Sequence, residues 1–274
     1  MLVRPGLSLA VAFSAVVGVI LSEKRLTWLS LSVFFGVLLL SWAASALNQV
    51  QERRLDAAMP RTRNRPVASG SIKPHWAIVS SVVFSLAGLC ILFFSAGPVP
   101  AGLGLAAMLW YNAVYTPLKA RTRYSVLVGA LTGAVPPLIG WTAAGGHWSD
   151  PGILAIALFL FFWQIAHFSL LLLKYGGEYS RAGFPAFLTG TAGDRRTVFI
   201  LLVLVVLSTL LFPAFRLAAD PVPATALCAA GLLMLVFYFP GFFSRPRPPD
   251  FRLWFRVFYS YQLAVLLILI FSSL

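Results

Sequence analysis

The chain has 274 residues, of which 59% are hydrophobic and only 11% charged, and its mean hydropathy is +0.87. A soluble domain carries about 25% charged residues, so a soluble globular protein is excluded and the outer surface must face lipid. The net charge of +13 would suggest nucleic acid in a soluble chain; here the basic residues stand in short loops between apolar runs, which points to a charged cytosolic rim or an anionic substrate held there.

A bilayer core about 30 Å thick needs about 20 apolar residues per helix. The first such run follows Arg4 within Met1–Ser22. It lacks a small-residue cleavage site after a polar boundary, so it reads as an uncleaved first span. The apolar runs place spans at 6–22, 28–47, 76–95, 98–115, 125–145, 152–173, 197–215, 222–243 and 253–273. A backbone in lipid must satisfy its own hydrogen bonds, and the alternation of a barrel is absent, so the spans are helices. Residues 1–274 read as a single domain, with no length left for a separate soluble one. Cys90 and Cys228 both fall inside apolar runs and are expected to be buried, inert thiols.

With the N-terminus inside, the inner tail and loops hold 18 of the 21 Lys and Arg residues, and the outer loops hold 3, namely Lys24, Arg25 and Arg216. That asymmetry fixes a cytoplasmic N-terminus and an outer C-terminus. The inner loops are also the longest, and they carry five of the eight acids, Glu52, Asp56, Glu178, Asp194 and Asp250. Long loops gathering charge on one face are where function is expected. One acid-bearing basic loop follows the second span and another follows the sixth, a spacing that fits two four-helix halves plus a ninth helix.

The segment after the second span is the most informative. Asn48, Glu52 and Asp56 recur every four residues, and on a helix each such step turns only about 40° past a full revolution. Three oxygen-bearing side chains then share one face at the membrane boundary, which is a donor set suited to a hard cation such as Mg2+. Arg61, Arg63 and Arg65 follow at once, as guanidinium forks suited to phosphate oxygens. Together they imply a diphosphate bridged by Mg2+. A solvated loop obeying the charge rule is the bland alternative, and it suffices for Arg53 and Arg54. It explains neither the spaced acids nor Asn48. Of the three histidines, only His167 falls within an apolar span.

The same residues carry a resemblance. Asn48, Glu52, Asp56, Met59, Arg61, Thr62, Arg65 and Pro66 match N-x-x-x-(D/E)-x-x-x-D-x-x-M-x-R-T-x-x-R-P, so the segment resembles the first motif of the UbiA superfamily of membrane prenyltransferases, in its protoheme IX farnesyltransferase (heme O synthase) branch. The likeness continues through Tyr115–Thr122, through Gly129–Trp141 with its Pro136-Pro137 pair, and through Trp163-Gln164-Ile165-Ala166-His167-Phe168, where Ala166 replaces the usual proline. It weakens at Lys174–Pro185. There Tyr179, Ala182, Gly183 and Pro185 fit and Glu178 can stand for one aspartate, but Gly177 replaces the other acid.

The resemblance implies an all-α polytopic membrane protein, with about nine transmembrane helices in one bundle and a central cavity open to the cytosolic side of a bacterial inner membrane. It implies transfer of a farnesyl group from farnesyl diphosphate to a vinyl group of protoheme IX (heme B), giving heme O and free diphosphate. Mg2+ is the implied cofactor, with Asn48, Glu52 and Asp56 holding one ion and Glu178, helped by Asp194 or water, a second. Arg61, Arg65, Lys119 and Arg121 are expected on the diphosphate, and His167 and Tyr179 near the acceptor. Expected partners are the two substrates and the lipid bilayer, with no nucleic acid, and a second copy of the chain or terminal-oxidase assembly factors beside them. The altered second loop keeps another acceptor, a quinone precursor or a different tetrapyrrole, as the nearest rival. A non-catalytic transporter or scaffold would require ionisable residues deep within several spans, and those are nearly lacking.

Overall fold

The computed structural model describes residues 1–122, 124–181, 183, 185, 192–214, 225–226, 228–233 and 251–273. Their regular elements are all helices, with no strand among them: α1 (Pro5–Glu23), α2 (Trp28–Gln51), α3 (Arg53–Ala58), α4 (Pro74–Ala96), α5 (Pro98–Leu109), a π-helical segment (Trp110–Tyr115) running into α6 (Thr116–Lys119), α7 (Ser125–Ala143), α8 (Pro151–Arg181), α9 (Ala192–Ser208), α10 (Leu211–Ala214) and α11 (Phe251–Phe271). Six of them are long and apolar enough to cross a membrane. The span expected at 98–115 is built from α5 and the π segment, and that at 197–215 from α9 and α10. The span expected at 222–243 lies mostly outside the described residues.

Prolines mark where helices begin: Pro5, Pro74 and Pro98 stand in the first turn of α1, α4 and α5. There the missing N–H costs nothing and the fixed φ is already helical. Gly97, at φ 93°, makes the tight turn between α4 and α5, a conformation that glycine reaches without a Cβ clash.

Helix α8 overrides the expected boundary at residue 173. Its 31 residues extend about 46 Å at 1.5 Å per residue, well beyond a 30 Å hydrocarbon core. Lys174–Arg181 are therefore helical rather than looped, and they carry Glu178 and Tyr179 on the last turns of α8. Helix α2, with 24 residues, likewise outruns the bilayer and brings Asn48 to its end.

Helix α1 is the spine. Its Val16, Val17, Ile20 and Leu21 pack into one apolar cluster with α8, α9 and α11, while Ala12, Ala15 and Val19 pack into another with α2, α4, α5 and α7. Close crossings rest on glycine. A Cβ on Gly140 of α7 would overlap the Ala15 carbonyl of α1, and one on Gly18 would overlap the Pro137 carbonyl. Lipid offers no hydrophobic drive between helices, so such backbone-close contacts supply the dispersion that holds them together. Helix α4 is the most outward, exposing Trp76, Val83, Leu86 and Phe94. Cys90 shares that face and is exposed, against the expected burial, because the opposite face of α4 is the one that packs, through Ala77, Ser81, Gly88 and Leu92.

The cationic helix ends gather at one end of the bundle. Side-chain hydrogen bonds tie them there: Asn48 Nδ2 donates to Thr116 Oγ1 at 3.2 Å, Gln51 Nε2 to the Asn112 carbonyl at 3.0 Å, and Arg61 Nη2 to the Tyr179 hydroxyl at 3.0 Å.

Candidate active site

The helical phase of Asn48, Glu52 and Asp56 survives the join between α2 and α3. Glu52 is the junction residue, yet its N–H still reaches the Asn48 carbonyl at 2.9 Å, and the Asp56 N–H reaches the Glu52 carbonyl at 2.8 Å. All three side chains are therefore carried to one inward face, where they are 1%, 3% and 1% exposed. Thr62 folds back to close the turn, its hydroxyl donating to the Asp56 carbonyl at 3.0 Å.

Buried carboxylates need partners, since an isolated charge would neutralise rather than remain in a low-dielectric site. Asp56 has Arg65, whose Nη1 lies 2.6 Å from both carboxylate oxygens. Glu52 has Lys119, whose Nζ lies 3.1 and 3.3 Å from its two oxygens, and Arg65 Nη1 stands 4.0 Å away as well. Both acids thus converge on one guanidinium nitrogen, a cation held between two carboxylates where a divalent ion could stand. No group of three or more His, Cys, Asp or Glu side chains forms a metal cluster among the described residues. A metal here would complete its shell with Asn48, water and phosphate oxygens, as Mg2+ commonly does. The donor set fits such an ion.

Asp56, Arg65 and Lys119 line one end of a cavity of about 260 Å³, while their partners Asn48 and Glu52 do not themselves line it. Its polar end is formed by Arg4, Asp56, Arg61, Arg65, Lys119 and Tyr179, and its interior by apolar side chains such as Val11, Val37, Leu40, Met108 and Ile139. Arg61 lies over the rings of Tyr175 and Tyr179, with its guanidinium carbon 5.4 and 5.9 Å from their centroids, and Lys119 Nζ lies 5.6 Å from the Tyr179 centroid. Aromatic faces of this kind hold the cations in place.

The π segment supplies two further cavity aromatics, Tyr111 and Tyr115, whose rings are 5.4 Å apart. Such widened turns often mark functional sites. Gly129 makes the room, because a Cβ there would meet the Tyr115 ring at 2.5 Å. Within α7, Pro136 and Pro137 remove the N–H groups that would bond the carbonyls of Thr132 and Gly133, and Thr132, Gly133 and Pro136 all line the cavity. Across from them are Gln164, His167 and Phe168 of α8. His167 stacks on Trp163 with centroids 5.2 Å apart and a 3° interplanar angle, and its Nδ1 is 3.2 Å from the Tyr259 hydroxyl.

The structure brings together Asn48, Glu52, Asp56, Arg61, Arg65, Lys119 and Tyr179, and it puts His167 on the wall of the same cavity. Glu178, one residue before Tyr179, is half-buried, with Oε2 enclosed and unpartnered among the described residues; it does not line the cavity. Arg121 is exposed and stands apart from the cavity, as does Arg63. The side chain of Asp194 and residue Ala182 lie outside the described residues.

Arg4, counted in the sequence only as a topological charge, lines the cavity and donates from Nη2 to Asn48 Oδ1 at 3.2 Å. Burial works against its charge, but the field of Tyr111, Glu52, Tyr115 and Asp56 more than offsets this and raises its pKa above the ordinary value. Nothing in the local sequence marks Arg4 or the π segment; only packing reveals them.

The model of the UbiA prenyltransferase family matches residues 10–261. A protein named protoheme IX farnesyltransferase from Geobacter sulfurreducens is 42% identical over 239 residues, covering 85% of this chain and 87% of its own length. Two solved structures share the fold. A UbiA homolog from Aeropyrum pernix K1 aligns with a TM-score of 0.73 at 18% identity, over 97% of this chain and 96% of that one. A UbiA homolog from Archaeoglobus fulgidus bound to GPP and Mg2+ aligns at 0.66 and 15% identity, over 96% and 97%. A helical bundle enclosing a cavity with acids and cations at one end, together with a match across nearly the whole sequence, places the chain in the UbiA prenyltransferase family.

Proposed function

We propose that this protein transfers the farnesyl group of farnesyl diphosphate to a vinyl group of protoheme IX, forming heme O and releasing diphosphate. The observation that carries this reading is one continuous cavity, cationic and carboxylate-bearing at one end and apolar within. That is the shape of a prenyl diphosphate: a highly charged head on a hydrocarbon tail. The relatives support the acceptor, since the similar Geobacter protein is named for farnesylation of protoheme IX.

Ionisation of the allylic C–O bond requires that charge developing on the diphosphate be met by fixed opposite charge. Arg61, Arg65 and Lys119 would provide it, already held within reach by Tyr179, Asp56 and Glu52. Bound Mg2+ would add Lewis-acid neutralisation of the same leaving group. Asn48, Glu52 and Asp56 would hold it, and the unpartnered oxygen of Glu178 suits a second, weaker position. Tyr111, Tyr115 and Phe168 line the cavity and offer π faces to an allylic cation. A vinyl carbon of the acceptor then forms the new C–C bond, and water adds to the neighbouring carbon. His167 would face the acceptor, oriented by Trp163 and Tyr259.

The gathering of basic helix ends at this end of the bundle, with the charge asymmetry of the loops, supports a cytoplasmic active site in a bacterial inner membrane. Hemes extracted from a heme-O-deficient cell expressing this chain test the reading. Appearance of heme O is expected; prenylation of a quinone precursor with no heme O would favour the rival acceptor.

A further inference from the structure

Arg4 precedes α1 and reaches into the cavity beside Asn48. Its tail is tied down independently. Gln49, only 2% exposed, donates from Nε2 to the carbonyls of Met1 at 3.2 Å and Leu2 at 2.6 Å. Residues 1–4 are thus a strap across the end of α2, and the strap fixes where Arg4 can point.

Among the described residues, Arg4 has carboxylates near it but none in direct contact. Arg65 and Lys119 each contact a carboxylate, but no carboxylate lies within 4.0 Å of Arg4 among the described residues. Among the described residues its one side-chain hydrogen bond goes to a neutral amide oxygen, although a guanidinium offers five donors. Among the described residues, Arg4, Arg61, Arg65 and Lys119 line the polar end with Asp56, and even with Glu52 beside Lys119 the positive charges exceed the negative by two. The carboxylates that keep Arg4 charged act without touching it, so its remaining N–H donors are open to an anionic ligand. The bland explanation, a positive-inside signal, needs neither the strap nor a place in the cavity.

We propose that Arg4 is a direct ligand of the donor's diphosphate, delivered by a strap that Gln49 anchors. Arg4 hands its fork to the phosphate oxygens and leaves Asn48 Oδ1 for other partners. Gln49 is a positioning residue. The proposal rests on the diphosphate reading of the cavity and adds a cation from the N-terminal strap to those carried by Arg61, Arg65 and Lys119.

The test uses the full chain in lipid nanodiscs with Mg2+ and measures equilibrium binding of farnesyl thiolodiphosphate, a donor analogue that does not ionise, alongside heme B binding. Arg4→Gln is expected to weaken analogue binding at least about tenfold, the scale of a hydrogen bond to a charged group, with heme affinity unchanged. Arg4→Lys keeps the charge but not the fork and should lose about threefold; it decides the matter if Arg4→Gln fails to insert. Gln49→Leu should reproduce part of the loss, and exposed Arg54→Gln none of it. Unchanged analogue affinity in both Arg4 variants overturns the proposal, as does a loss confined to heme, which would assign Arg4 to the acceptor's carboxylates. Failure of the wild-type chain to bind the analogue would instead remove the diphosphate reading itself.

Discussion

The two acid-bearing segments of this bundle are built to different standards of completion. In the first, Asn48, Glu52 and Asp56 continue one helical phase, are almost wholly buried, and each carboxylate already holds a cation. In the second, Glu178 stands near the end of α8 with one oxygen enclosed and unpartnered among the described residues, and Gly177 before it adds no acid. The contrast bears on where organisation is stored. The first segment is set by folding, because its acids could not be buried without Arg65 and Lys119 beside them. The second keeps coordinating capacity that only a ligand can complete. Preorganised charge is what lowers a barrier without reorganisation during the reaction, so the first segment should dominate catalysis and the second should tune it.

The largest effect should come from Asp56→Asn, which is expected to lower heme O formation at least about a hundredfold, with insertion retained as read by protease protection and yield. Lys119→Met comes next, at about tenfold to a hundredfold in turnover, since it removes a cavity-lining cation and leaves Glu52, among the described residues, with only the 4.0 Å contact to Arg65. Glu178→Gln should be milder and of another kind. It is expected to raise the Mg2+ concentration for half-maximal activity several-fold with little change at saturation. Gly177→Asp should lower that concentration, because a Cβ at Gly177 meets nothing within 4 Å. An Mg2+ titration of both variants checks this, and equal collapse of turnover in Glu178→Gln and Asp56→Asn would erase the distinction. The smallest effect belongs to Tyr179→Phe, which deletes one hydrogen bond to Arg61 and should raise the donor KM about threefold.

Local chemistry made much of the first segment readable from sequence. Four-residue spacing is a property of a helix, and it held across the junction because Glu52 keeps both backbone hydrogen bonds. What pairs with those acids was not readable. Lys119 is 67 residues from Glu52, and Arg4 is 44 from Asn48, so only tertiary packing brings them together. Arg4 and Arg121 illustrate the limit from both sides: a residue counted only for topology lines the cavity, and a residue expected on the phosphate is exposed outside it. The end of α8 was misjudged for a different reason. Bilayer thickness limits how much of a helix is apolar, and it does not limit how far the helix runs on into water. The π segment carries no compositional mark, since its register depends on Tyr115 finding space over Gly129.

The most direct test of the central claim, a metal-assisted diphosphate site at Asn48, Glu52 and Asp56, is a single reaction in nanodiscs with farnesyl diphosphate, heme B and Mg2+, following heme O and released diphosphate together. Wild-type protein should yield both in equal amounts, and chelation of Mg2+ or the Asp56→Asn substitution should stop both. Undiminished heme O from the Asp56 variant, or from chelated wild type, would contradict the account.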